Sequence, residues 1–194
     1  AVPILLGGDD SLPIPFLAAF ADQGPLWVLQ IDAHIDWREE VDGERNGLSS
    51  NMRRASEMPH IKQIIQVGQR ALGSARPSDV EDARRWGVQF FSGRDIALSG
   101  LAPVLDTVPE GANVLFALDI DGLDPSVVPG VIGRAPGGLT YWQTAELLHG
   151  IAAKAKLCGF NLVEFMPDND VDGLGALVCA RLVVNVLGLV HAQS

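Results

Sequence analysis

Three short segments concentrate the residues that could do chemistry. Gln30-Ile31-Asp32-Ala33-His34-Ile35-Asp36 sets two carboxylates and an imidazole on alternate positions. Ala117-Leu118-Asp119-Ile120-Asp121-Gly122-Leu123-Asp124-Pro125 sets three carboxylates close together, and Gly7-Gly8-Asp9-Asp10-Ser11 is a looser acidic segment. In extended chain, residues i, i+2 and i+4 project to one side. Asp32, His34 and Asp36 are therefore expected to share a side, and Asp119 and Asp121 another. Carboxylates drawn together in a partly dry site repel one another. Proton uptake relieves that repulsion, and so do bound cations; the number of acids favours cations. Such a ligand set, mostly carboxylate, exceeds what a single zinc site uses. It fits two hard or borderline ions that share bridging carboxylates, with manganese favoured over zinc and magnesium as the alternative. Two ions about 3.5–4 Å apart deprotonate a bridging water and so make a nucleophile without Ser, Cys or Lys. Asp124-Pro125 reads as a turn, and Asp9 and Asp10 taken alone suit caps as well as chemistry. His60, His149 and His191 fall at no expected strand end and read as surface or core residues. The sequence contains no Gly-x-Ser-x-Gly elbow, Gly-rich phosphate loop or Cys-x-x-Cys pair.

Each acidic segment follows a short apolar run. These runs are Val2 to Leu6, Trp27 to Ile31, Ile61 to Val67, Val88 to Phe91, Val114 to Leu118 and Asn161 to Phe165. Apolar residues on consecutive positions mark strands covered on both faces, as in a parallel sheet. Helical periodicity covers Pro15 to Ala21, Ser78 to Trp86, Thr140 to Lys154 and Leu174 to Leu189. Ser78, with Glu81 three residues on, reads as an N-cap, and so does Thr140. The alternation predicts an α/β fold: a mainly parallel sheet with helices on both faces. Ligands of open parallel sheets bind beyond the carboxyl ends of the strands, so the acidic segments are expected to converge there. Two long stretches without periodicity, Asp32 to Asn51 and Asp121 to Gly138, begin at those ends and read as functional loops.

Composition narrows the partners. The 194 residues carry 24 Asp and Glu against 14 Lys and Arg, a formal net charge of -10, with 47% hydrophobic and 20% charged residues. This is the balance of one globular domain spanning residues 1–194. The acidity argues against nucleic acid and anionic membranes, both of which select Lys and Arg clusters. No apolar run is expected to span a membrane, and no signal peptide is visible. Cys158 and Cys179 lie in apolar surroundings, which suggests a reducing, cytoplasmic location.

Taken together, the acidic segments resemble those of the ureohydrolase family, which contains arginases and agmatinases. The family carries Gly-Gly-Asp-His-Ser, Asp-Ala-His-x-Asp and Asp-x-Asp-x-x-Asp-Pro in this order. Pro136-Gly137-Gly138-Leu139-Thr140 and Leu162-Val163-Glu164 also match, so the likeness runs from about Leu5 to Leu189. The resemblance implies an arginase-like three-layer α/β/α fold and a site with two Mn2+ ions per chain. Asp32 and Asp119 would bridge the ions, His34 and Asp121 would complete one, and Asp36 the other. It implies hydrolysis of a guanidino compound, agmatine-like or a guanidino acid, to urea and an amine through a metal-bridging hydroxide. Asp36 would hold the hydroxide, and Glu164 would pair with the guanidinium as a planar bidentate partner. A small cationic substrate suits an acidic protein, and the family implies a trimer or hexamer.

The chain departs from the pattern in three places. Asp10 stands where the family has His, which either hardens the site toward Mn or Mg or weakens one ion. Leu48-Ser49-Ser50-Asn51 occupies the region of a Ser-His-Gly segment whose His is thought to shuttle protons. The chain also begins near the family's Gly-Gly-Asp segment, about a hundred residues later than is usual, which suggests a domain without its N-terminal segment. Two alternatives stay open on these grounds: a degenerate relative with a binding or assembly role, and a formimino or amide hydrolase on the same metal site. Arg38, Arg45 and Arg53 could meet a carboxylate tail or face solvent.

Overall fold

A computed structural model describes residues 1–193. The six apolar runs form six strands: β1 (Ile4–Leu6), β2 (Leu26–Ile31), β3 (Ile61–Val67), β4 (Gln89–Phe91), β5 (Asn113–Asp119) and β6 (Lys156–Val163). They are ordered β1-β6-β5-β2-β3-β4, and each pairing is parallel. The central strands β2 and β5 are buried over nearly their whole length, the environment that consecutive apolar residues require. The expectation for β6, Asn161 to Phe165, is corrected to an earlier start and an earlier end. Gly159 hides the start by interrupting the apolar run. Its bare backbone admits Phe20 and Leu115, whose side chains would lie 2.7 and 3.0 Å from an added Cβ. The end comes where Glu164 turns out of the sheet at φ +63°.

Helices cover both faces. On one lie α1 (Pro13–Ala18), α2 (Asn51–Ser56) and α3 (Pro77–Trp86). There Leu17, Met52, Ala55 and Ala83 pack in one apolar cluster with Val28, Ile64 and Leu115. On the other lie α4 (Gly93–Ser99), α5 (Ala102–Thr107), α6 (Tyr141–Lys154) and α7 (Leu174–Ala192). There Ile96, Val104, Leu148 and Leu182 pack with Leu29, Ile65 and Phe116. Each such buried side chain stabilises the fold by about 1.5–3 kcal/mol. The result is the expected three-layer arrangement. The short helices α2, α4 and α5 went unread because six or seven residues show too few turns for periodicity to register.

Two local expectations fared differently. Thr140 caps α6: its hydroxyl accepts from the Gln143 N–H at 3.1 Å, and Gln143 Oε1 accepts from the Thr140 N–H at 2.9 Å. Ser78 does not cap α3. The helix starts one residue earlier at Pro77, whose fixed φ suits the first helical position, and Asp79 accepts from the Arg76 N–H at 2.9 Å. The membrane expectation also needs correcting. Helix α7 has 19 residues and a mean hydropathy of 1.9, long and apolar enough to span a bilayer by length and composition. It includes Arg181 and Asn185, and it buries Val178, Cys179, Leu182 and Val186 against the sheet. It therefore packs one side on the sheet, while Leu177, Val184 and Leu187 on its other side are exposed.

Candidate metal centre

Neighbouring strands place the first acids. Ile31 of β2 pairs with Leu118 of β5, so Asp32 and Asp119 leave the sheet side by side. The turn after β5 packs directly on the end of β2. A Cβ on Gly122 would lie 2.7 Å from the Asp32 nitrogen, so glycine is required there. Extended alternation does not continue beyond the strands, contrary to expectation. Asp119 accepts from the Asp121 N–H at 2.9 Å and opens a 3-10 turn over Ile120–Gly122. Asp36 sits at φ +44°. The carboxylates converge through tight turns, and a side chain's direction in such turns does not follow a period of two. Among the described residues four non-glycines have positive φ, and two of them, Asp36 and Glu164, belong to this centre. Strain of this kind persists where the surroundings over-determine it, commonly at functional sites.

The donors form two triads. Ligand atoms of Asp32, His34 and Asp121 lie within 4.8 Å of one another, and so do those of Asp10, Asp32 and Asp36. Asp32 is common to both. His34 Nδ1 is 3.3 Å from Asp32 Oδ1 and 3.2 Å from Asp121 Oδ2. Asp119 is in neither triad. It lines the same cavity of about 730 Å³ as Asp10, His34, Asp36, Asp121 and Glu164, with Asp32 fully buried beneath. Every residue expected at the site is therefore brought to one place.

Electrostatics there is unfavourable without cations. Burial, and then the charge of Asp36, raises the Asp10 and Asp32 carboxyls well above the usual range. Burial and the charge of Asp121 do the same to Asp119. Glu164 is raised chiefly by burial. His34 is raised first by its hydrogen bond to Asp121. The Arg70 guanidinium hydrogen-bonds the carbonyls of Gly68, Asp121, Gly122, Leu123 and Ala135 and stitches the loops together, close enough for its charge to act on Asp121, Asp32 and Asp119. A pit of buried carboxylates with one imidazole is the donor chemistry that divalent cations satisfy, and the residues present fit such a group.

A second layer fixes these ligands. Gln30 Nε2 donates to Asp32 Oδ2 at 2.7 Å and lies 3.5 Å from Asp36 Oδ2. Gln66 Nε2 donates to Gln30 Oε1 and, at 3.0 Å, to the Ile35 carbonyl. The sequence analysis missed both glutamines. Their signal was present: Gln30 is the lone polar residue of β2, and Gln66 interrupts the apolar second half of β3. It also missed Asn51, fully buried, whose Nδ2 donates to Asp10 Oδ2. Ser50 is fully buried as well, so this stretch is a wall of the centre.

The remaining candidates lie elsewhere. Asp124 is a turn residue, as expected. Asp9 accepts from the Ser11 N–H at 3.0 Å. His60 bonds the Leu17 carbonyl, and His149 bonds Asn185. Arg45 and Arg53 pair with Glu39 and do not line the cavity, whereas Arg38 does.

The family model described as Arginase family matches residues 1–188. The chain belongs to the arginase family. It is 33% identical over 187 residues to the mitochondrial arginase 1 of Arabidopsis thaliana, covering 93% of this chain and 53% of that protein. It is 31% identical to a guanidinobutyrase of Pseudomonas aeruginosa, covering 96% of this chain and 60% of that protein. A solved structure of the proclavaminate amidino hydrolase from Streptomyces clavuligerus superposes with a TM-score of 0.87 at 27% identity, covering 98% of this chain and 64% of that one. The chain thus spans between about half and two thirds of the length of these relatives. The family match agrees with the resemblance carried by the acidic segments and with the three-layer sheet.

Proposed function

We propose that the chain is a metal-dependent hydrolase of a guanidino compound, releasing urea and an amine. The observation that carries this reading is the pair of carboxylate triads sharing Asp32, with Glu164 on the wall of the same cavity. In this reading Asp10, Asp32, His34, Asp36, Asp119 and Asp121 hold two divalent ions, Mn2+ by the balance of oxygen and nitrogen donors. When bound, the ions supply Lewis acidity and make water a nucleophile at neutral pH. Glu164 binds the guanidinium. Its Oε1 is already fixed by the Asp10 N–H at 2.8 Å, which orients the carboxylate and leaves Oε2 for a substrate N–H. Asp36 holds the proton of the attacking water at a carboxylate oxygen and delivers it toward the leaving amine, in place of the absent shuttle histidine.

The cavity mouth favours a substrate with a carboxylate tail. Arg38 and Arg76 line it. Arg38 Nη1 stands 3.2 Å from Asp79 Oδ2 but makes no hydrogen bond, although it is buried. That guanidinium has donor capacity to spare. A guanidino acid offers a cation to the acidic pit and an anion to Arg38.

The test is urea release from the Mn2+-loaded chain with agmatine, arginine and shorter guanidino acids. We expect the guanidino acids to exceed agmatine by about 10-fold or more in kcat/KM, the scale of one charge-assisted contact. Arg38→Ala should remove that preference with little effect on agmatine. No urea from any of them, with metal shown to be bound, overturns the reading.

A further inference from the structure

The two triads differ in kind. One contains an imidazole, His34, with Asp32 and Asp121; the other contains only the carboxylates of Asp10, Asp32 and Asp36. A second observation points at the all-oxygen triad. Asn51 is fully buried against it, with Nδ2 on Asp10 Oδ2 and Oδ1 without a hydrogen-bond partner. The amide therefore ties down one oxygen of Asp10 and leaves the other without that bond. Its own Oδ1 is left unspent. Gln30 likewise ties down one oxygen of Asp32. No nitrogen or sulfur ligand of the described residues joins this group.

We infer that the two ion positions are chemically inequivalent: the His34 position favours a borderline ion such as zinc, and the Asp10 position favours a hard ion, magnesium or manganese, when magnesium is in large excess over zinc. The inference rests on the metal-dependent reading above and deepens it. Imidazole suits zinc, whereas carboxylate and carbonyl oxygen suit magnesium and manganese. Asp10 sets the selectivity of its position, and Asn51 is the positioning residue that presents it. Outer-layer partners of this kind are worth about 10–100-fold in metal affinity.

Metal content decides the matter without reference to turnover. The stripped chain is equilibrated with zinc in slight excess over two equivalents per chain and a large excess of magnesium, and bound metals are counted by elemental analysis. One zinc and one magnesium per chain is the expected result. Asp10→His, which adds a nitrogen to the second triad, should bring the count to two zinc. Asn51→Ala should leave the zinc in place and weaken magnesium by about 10–100-fold. Two zinc ions in the unaltered chain, or two magnesium, overturn the inequivalence, and this result needs no variant to fold. No bound ion at all removes the metal centre and the inference together. Absence of urea from a preparation with one zinc and one magnesium, and again from one loaded with Mn2+, would overturn the hydrolase reading and leave this inference standing.

Discussion

Asp119 and Asp124 stand in one short motif yet meet opposite surroundings. Asp119 is buried among other carboxylates, and its carboxyl is raised well above the usual range, first by burial and then by Asp121. Burial pushes Asp124 upward too. Hydrogen bonds from Ser126, Gly137 and Gly138 outweigh it and hold Asp124 at about 2. The collar around Asp124 is made of N–H groups at 3.0, 2.8 and 3.2 Å. The pit around Asp119 instead presents the carboxylates of Asp10, Asp36, Asp121 and Glu164. The contrast separates two uses of one residue type. A carboxylate ringed by backbone donors is complete and holds a turn. A carboxylate ringed by carboxylates is incomplete, and its missing partner is a cation.

The largest break in this comparison should come from Asp32, the residue common to both triads. Asp32→Ala is expected to remove most metal from both positions and to lower urea release on the order of 10³-fold, the scale of a lost charge-stabilising group. Elemental analysis and a urea assay check it. Retention of both ions would show that the triads do not act as one centre.

The same contrast has a pH signature. Asp10, Asp32 and Asp119 are raised in the folded chain above an unfolded value of about 3.9. Groups raised on folding contribute stability that is full below the unfolded value and is lost as pH rises through the folded one. With chelator present, the melting temperature should therefore fall as pH rises above about 3.9. Mn2+ at 100 times its dissociation constant should restore about 2.7 kcal/mol per site. A chelated chain that becomes more stable over that range contradicts the assignment of these acids as incomplete.

What could be read from the sequence follows from range. The six strands were legible because burial on both faces leaves consecutive apolar residues, and α6 was legible because Thr140 and Gln143 cap it locally. The ligand residues were legible because each follows a strand. Their mutual geometry was not. It depends on the turns at Asp36 and Ile120–Gly122, on a close approach at Gly122, and on Asn51 reaching Asp10 from 41 positions away. The start of α3 was misread for a related reason: Pro77 overrides the cap that Ser78 offers. Long-range partners such as the Gln66-to-Gln30 link leave only a faint trace, a polar residue where an apolar one is expected.

The smallest effect tests the complete half of the comparison. Asp124→Asn keeps a carbonyl oxygen for one or two of the three N–H groups and removes the charge they hold. Asp124 is lowered on folding to about 2, so its contribution is present above the unfolded value near 3.9 and is lost as pH falls toward 2. The group is half-buried at the surface, and solvent screening cuts its contribution to about 1 kcal/mol or less at pH 7. Urea denaturation should show that difference at neutral pH, and the gap between variant and parent should narrow as pH falls from 5 toward 2.5. Metal content should stay unchanged, because no ion is needed where backbone N–H groups already complete the carboxylate. A variant that loses metal would place Asp124 in the pit and erase the distinction. A variant equal to the parent at pH 7 would show that the collar orients the turn without stabilising it.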